Sequence, residues 1–240
     1  AAINDEGHIA GTSLSFGSNT VRHPSHAVLS IQGHVKDLGA LPGGQSSRSS
    51  GLNNADEVFG MGMQSNRYDH NFLYSCGQMI DLDPLIGGWS IVAGIGSNIR
   101  LLRINNDGTL IGLRYHTLHL AEVFSFRDQK TTILGEIRST IIPTAGHLPG
   151  FGVLCANSRG DLAGWELVPG EGGPSADSVH HATVWARDRK YDLNRSTFLP
   201  PGWVLEEASA INERGQIACN AVHGNTWRPF LLTPALRTKT

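Results

Sequence analysis

Three histidines in this chain each precede an aspartate by 11 residues: His26 and Asp37, His70 and Asp81, His181 and Asp192. An imidazole beside a carboxylate can orient a general base or fix the tautomer of a metal ligand. The runs Asn4-Asp5-Glu6 and Asn105-Asn106-Asp107 add oxygen donors of the kind calcium takes. Repetition argues against both chemistries. Three copies of one pair cannot converge on a single centre, and the acidic runs lack the alternating carboxylates of a calcium loop. No metal or cofactor is expected. With a two-residue turn at Gln32-Gly33, His26 falls opposite Gly39, and Asp37 lies diagonal to it on the same sheet face. The pairs therefore read as polar ties between strands. The chain carries no GxSxG, HExxH, phosphate-binding loop or zinc-spaced Cys/His set.

The elements that must position these pairs follow from a second recurrence. An apolar residue, then Asn-x-x-Gly, occurs at Asn4, Asn53 (with Asp56 in the glycine place), Asn105, Asn157 and Asn212, at spacings of 49, 52, 52 and 55 residues. A fixed period of this length marks one supersecondary unit copied side by side. Each Asn suits a turn in which its side chain caps its own backbone while Gly takes the left-handed position. About 20 residues on comes His-Ala-Val-Leu or a relative of it, then an Asp-Leu segment. The third copy has only Glu122-Val123-Phe124 and Ile133-Leu134 in those places. Four short strands and two hairpins per copy predict an all-β fold, a five-bladed β-propeller with four-stranded antiparallel blades. The units fall at about 1–48, 49–98, 99–150, 151–207 and 208–240, in a single domain. The Asn strand is expected innermost. The last copy ends before an Asp-Leu segment, so its outer strand is expected either from upstream of Ala1 or not at all, leaving an open edge.

Bulk properties exclude several functions. The 240 residues carry 19 basic and 21 acidic side chains, a formal charge of −2 with no basic stripe, so nucleic acid is not an expected partner. No apolar run approaches the roughly 20 residues of a membrane helix. Cys76, Cys155 and Cys219 form no CxxC and no disulfide framework, and they read as buried small apolar residues.

Beyond the triplets, the chain contains Asp37-Leu38-Gly39-Ala40-Leu41-Pro42-Gly43-Gly44, Leu199-Pro200-Pro201-Gly202-Trp203, Ala210-Ile211-Asn212 and Phe230-Leu231-Leu232-Thr233-Pro234. In these it resembles the bacterial HAF-repeat proteins, named for a His-Ala-Phe triplet, over nearly its whole length. The resemblance implies a secreted or cell-surface repeat protein with no catalytic residues to carry over. Departures are the weak third copy, Asn71 where Ala is usual, and Cys219 where the earlier copies have Gly11, Gly60, Gly112 and Gly164.

Function must then reside where the copies differ. The non-repeating residues expected on a loop face are Arg48, Arg67, Trp89, Arg100, His116, Glu166, His180, Trp203, Glu206 and Glu207. The longest insertion runs from Trp165 to His181. Trp89 and Trp203, each after a glycine, are the type of aromatic that stacks on sugar, although packing between blades is the favoured role. The leading expectation is a noncatalytic extracellular propeller that binds a glycan or protein partner. The alternative is a propeller-type hydrolase or lyase with an axial active site, for which Glu206 and Glu207, beside Arg48 and Arg100, are the available charges.

Overall fold

In a computed structural model, residues 1–14, 25–65, 68–87, 97–117, 119–139, 150–170, 178–186 and 189–235 are described. They form five antiparallel sheets, each a meander of strands consecutive in sequence. The first holds β1 (Ala2–Ile3), β2 (Ile9–Leu14), β3 (Ser25–Ile31) and β4 (His34–Asp37). The second holds β5 (Ser46–Leu52), β6 (Val58–Met63), β7 (Asp69–Ser75) and β8 (Gln78–Asp81), followed by a helical turn α1 (Asp83–Ile86). The third is β9 (Ile99–Ile104), β10 (Leu110–Thr117), β11 (Leu120–Arg127) and β12 (Lys130–Arg138). The fourth is β13 (Phe151–Ala156), β14 (Leu162–Pro169), β15 (Ser178–Ala186) and β16 (Arg189–Asp192), with α2 (Leu193–Ser196) after it. The fifth has three strands, β17 (Val204–Ile211), β18 (Ile217–His223) and β19 (Thr226–Leu232).

Both expected turn chemistries are present. In every copy the residue in the glycine place donates its N–H to the Asn carbonyl at 3.0–3.2 Å and has a positive φ, including Asp56 at +61°. The Asn4, Asn53, Asn157 and Asn212 side chains each accept N–H groups two and four residues on. In the first three sheets the third-to-fourth strand turns have positive φ at both central residues, Gln32-Gly33, Cys76-Gly77 and Asp128-Gln129, which matches strand twist.

Some boundaries differ from expectation. β5 starts at Ser46 and β17 at Val204, a few residues before the sequence units. The third sheet is complete: where the Asp-Leu segment is missing, β12 continues for nine residues instead of ending in a polar turn. The insertion is shorter than Trp165 to His181, because β14 extends to Pro169 and β15 begins at Ser178.

Two compact units divide the chain, one of Ala1–His116 with Phe124–Ile133 and one of Thr117–Val123 with Leu134–Thr240. In the first, Ala27, Leu29 and Leu38 pack with Val58 and Phe72 between neighbouring sheets, and Leu82 and Ile86 join Phe59, Leu110 and Phe124 in a second cluster. In the second unit, Ala182, Val184 and Leu193 pack against Leu205, Cys219 and Ala221. Across both units the leucine after the repeated aspartate, Leu38, Leu82 or Leu193, is buried. That places the preceding Asp at a fixed depth, facing its histidine.

Candidate functional site

The repeated pairs form as the spacing requires. His26, His70 and His181 each place Nδ1 at 2.9 Å from Oδ2 of Asp37, Asp81 and Asp192. In each case the other carboxylate oxygen accepts the N–H two residues on, from Gly39, Asp83 or Asn194. One aspartate therefore ties strand three to strand four and caps the chain leaving it. The His26 imidazole, assisted by the Gly39 N–H, holds the Asp37 carboxyl below its ordinary value of 3.8.

Asn71 acquires its reason in the second sheet. Its backbone N–H and Nδ2 both donate to Asp83 Oδ1, at 3.2 and 2.8 Å, and Nδ2 also reaches the Ile99 carbonyl at 3.1 Å. Asp83 is 2% exposed, and burial pushes its carboxyl up despite the bonds from Ser97 and Asn71. In the first sheet the corresponding N–H, on Ala27, donates to Ser47 Oγ at 2.8 Å. An Ala-to-Asn change in the repeat thus comes with a carboxylate where the first copy has Gly39.

The non-repeating candidates lie mostly on strands. In the first unit, Arg48 on β5 pairs with Asp69 at 2.9 Å, Arg100 on β9 is exposed beside Tyr115, and His116 is exposed near the end of β10. Arg67 and Trp89 lie outside the described residues. In the second unit, Glu166 on β14 is 4% exposed and meets Lys190 Nζ at 2.6 Å. Glu206 is the extra residue of a bulge in β17, and Glu207 accepts from Asn220 Nδ2 at 3.2 Å. Trp203 lies 5.4 Å from both the His223 and Phe230 rings, under Arg228, and packs on the core of the second unit.

One aromatic arrangement was not foreseen. The Trp165 and His180 rings stack at 4.2 Å and 9° where β14 and β15 approach the loop that joins them. Gly152 on β13, opposite Trp165, makes this possible: a Cβ there would come within 2.5 Å of the indole. His180 remains exposed, while Glu166 next door points to the other sheet face. The signal in the sequence was Trp165 itself, a large aromatic bordering the longest insertion.

Two grooves flank the fourth sheet at its opposite, Asn157-turn end. One, of about 440 Å³, is lined by Trp185, Arg138, Arg159, Arg189 and Lys190. The other, of about 690 Å³, is lined by Tyr191, Leu193, Ile211, Arg214 and Leu232. Arg138, Arg159 and Lys190 are already paired with Glu136, Asp161 and Glu166. Among the described residues no three His, Cys, Asp or Glu side chains are grouped to hold a metal ion, and no helix is long and apolar enough to cross a membrane. Compared with known proteins, the chain matches no family model and no curated protein.

Proposed function

We propose that this chain is a noncatalytic β-propeller repeat protein of the HAF-repeat kind, with its five sheets as blades, that binds a glycan through its loop face. The observation that carries the reading is the Trp165–His180 stack. With the Asn turns and His–Asp pairs assigned to holding strands together, this stack offers two aligned rings at a loop end, with His180 exposed. A flat ring beside polar backbone suits the C–H face of a sugar, because aromatic faces take apolar patches while neighbouring polar groups take hydroxyls. Of the two acids available to an axial hydrolase or lyase, Glu207 accepts from Asn220 and Glu206 is set out of register by a bulge, which favours binding over turnover. Placement outside the cell, in secreted or surface-attached form, goes with the same resemblance.

A glycan array probed with the full chain tests this directly. The expected result is retention of a defined set of sugars, with His180→Ala weakening binding about tenfold, the size of a lost aromatic contact. His26→Ala, which touches only a strand tie, should leave sugar binding unchanged. A folded chain that ignores the whole array, or a His180→Ala variant that binds as well as the parent, would overturn the glycan reading.

A further inference from the structure

The fifth sheet differs from the other four in lacking a fourth strand among the described residues, so β19 ends it with one edge unpaired. Register makes the comparison residue by residue. Gly11 pairs with Val28 in the first sheet and Cys219 with Phe230 in the fifth. Arg228 therefore stands where His26 stands, Pro229 where Ala27 stands, and Leu231 where Leu29 stands.

Each of these positions has a defined duty toward the fourth strand. The His at Arg228's place binds the fourth-strand aspartate in three sheets. Arg228 is exposed and meets no carboxylate among the described residues; its contact is with the Trp203 ring, 5.8 Å away. At Pro229's place the carbonyl is what the fourth strand uses, with Leu38 N–H donating to Ala27 O at 3.0 Å and Leu82 N–H to Asn71 O at 2.9 Å. The N–H of those residues goes elsewhere, to Ser47 and Asp83. Proline at this position keeps the acceptor and drops a donor that the fourth strand never needed. Leu231 is 67% exposed, whereas Leu29 is 3% exposed and shares a cluster with Leu38, the residue after Asp37.

We propose that the free edge of β19 is a docking site for an extended peptide carrying aspartate followed by leucine, added as a fourth strand with its carboxylate on Arg228 and its leucine over Leu231. Strand addition of this kind takes affinity from main-chain bonds and selectivity from side chains at alternate positions. Arginine in place of histidine makes the contact a permanently charged one, with a planar fork that fits a carboxylate. The proposal rests on the equivalence of the copies and is independent of the glycan reading.

The test uses the full chain and a labelled peptide with the sequence of residues 189–194, Arg-Lys-Tyr-Asp-Leu-Asn, whose first four residues form the fourth sheet's own fourth strand. Fluorescence anisotropy should show saturable binding, about tenfold weaker when the peptide Asp is replaced by Asn. Arg228→Gln should lose the same factor and make the Asp and Asn peptides equivalent. Arg228→Glu should prefer a peptide with Lys in place of Asp. Amide exchange locates the strand, since the N–H groups of Leu231 and Thr233 point to the free edge and should gain protection. Equal binding of the Asp and Asn peptides overturns the proposal. So does the absence of protection with every peptide, the outcome if Pro229 and Arg228 merely blunt the edge against pairing.

Discussion

Two aspartates make opposite contributions to the chain's response to acid, and its three cysteines differ in their response to thiol reagents. Asp83 is buried with a raised carboxyl, so between its ordinary value of 3.8 and its folded value the native state binds more protons than the unfolded state. Stability therefore increases as pH falls through that window. An Asp83→Asn variant should lose this slope, which denaturant melts at a series of pH values would reveal. Asp37 has the reverse sign: its tie to His26 is fully present above 3.8 and is lost as pH falls through the lower folded value. Among the thiols, burial pushes Cys219 up to about 12 and also raises Cys155, whereas Cys76 is exposed at a turn. A disulfide-exchange reagent should modify Cys76 in the native protein and reach the other two on unfolding; three equivalents reacting together would contradict this. Reading all three cysteines as buried was wrong for Cys76, because the Cys76-Gly77 turn requires φ of +50° at Cys76 and points outward, which composition does not reveal. The His–Asp ties were legible because hairpin register follows from counting. The Glu166–Lys190 pair was not, since it joins β14 to β16 across an intervening strand.

At the scale of elements, the repeat positions are chemically equivalent in sequence but not in surroundings. Gly60 and Gly164 have a backbone carbonyl 1.9 Å from where a Cβ would sit, each opposite a first strand that bulges, while at Gly11 the nearest atom is a Val28 methyl at 3.7 Å. Alanine should be tolerated at Gly11 and should cost on the order of 3 kcal/mol at Gly60 or Gly164, measured by chemical denaturation. The fifth copy accepts Cys219 at this position alongside a second bulge in β17, at Leu205/Glu207. The Asn turns also join one copy to the next. Asn53 is 2% exposed; besides capping its own turn, its Nδ2 donates to Asn105 O at 3.0 Å, and Asn4 and Asn157 reach Asn53 O and Asn212 O in the same way. Asn53→Ala should therefore cost about 2–3 kcal/mol, more than the loss of a surface turn cap. A cap can be foreseen from Asn-x-x-Gly because it is local. The bond to the next turn depends on how closely neighbouring sheets approach, which no single copy encodes.

For the whole molecule, one repeat position is exposed in the first copy and buried in the other four. Ile9 is 44% exposed, while its counterparts Val58, Leu110, Leu162 and Ile217 are 0%, 0%, 1% and 9% exposed. Ile9→Ala should cost less than about 1 kcal/mol and Leu110→Ala or Leu162→Ala about 3 kcal/mol, a contrast that urea unfolding would measure. The number of sheets and their strand order were readable from the period, and so was the three-stranded end. Which non-repeating side chains meet was not, because strands alternate faces and a bulge in β17 shifts the count by one. The turn-to-turn bonds have a further consequence. The Asn side chain and the following N–H of one copy donate to the carbonyl and side chain of the next: Asn4 to Asn53 and Asp5 to Asn54, Asn53 to Asn105 and Asn54 to Asn106, Asn157 to Asn212 and Ser158 to Glu213. Each of these three joints consequently has a donor side and an acceptor side, like a plug and its socket. Within the first unit the second copy accepts from the first and donates to the third, so it fits between them only one way round.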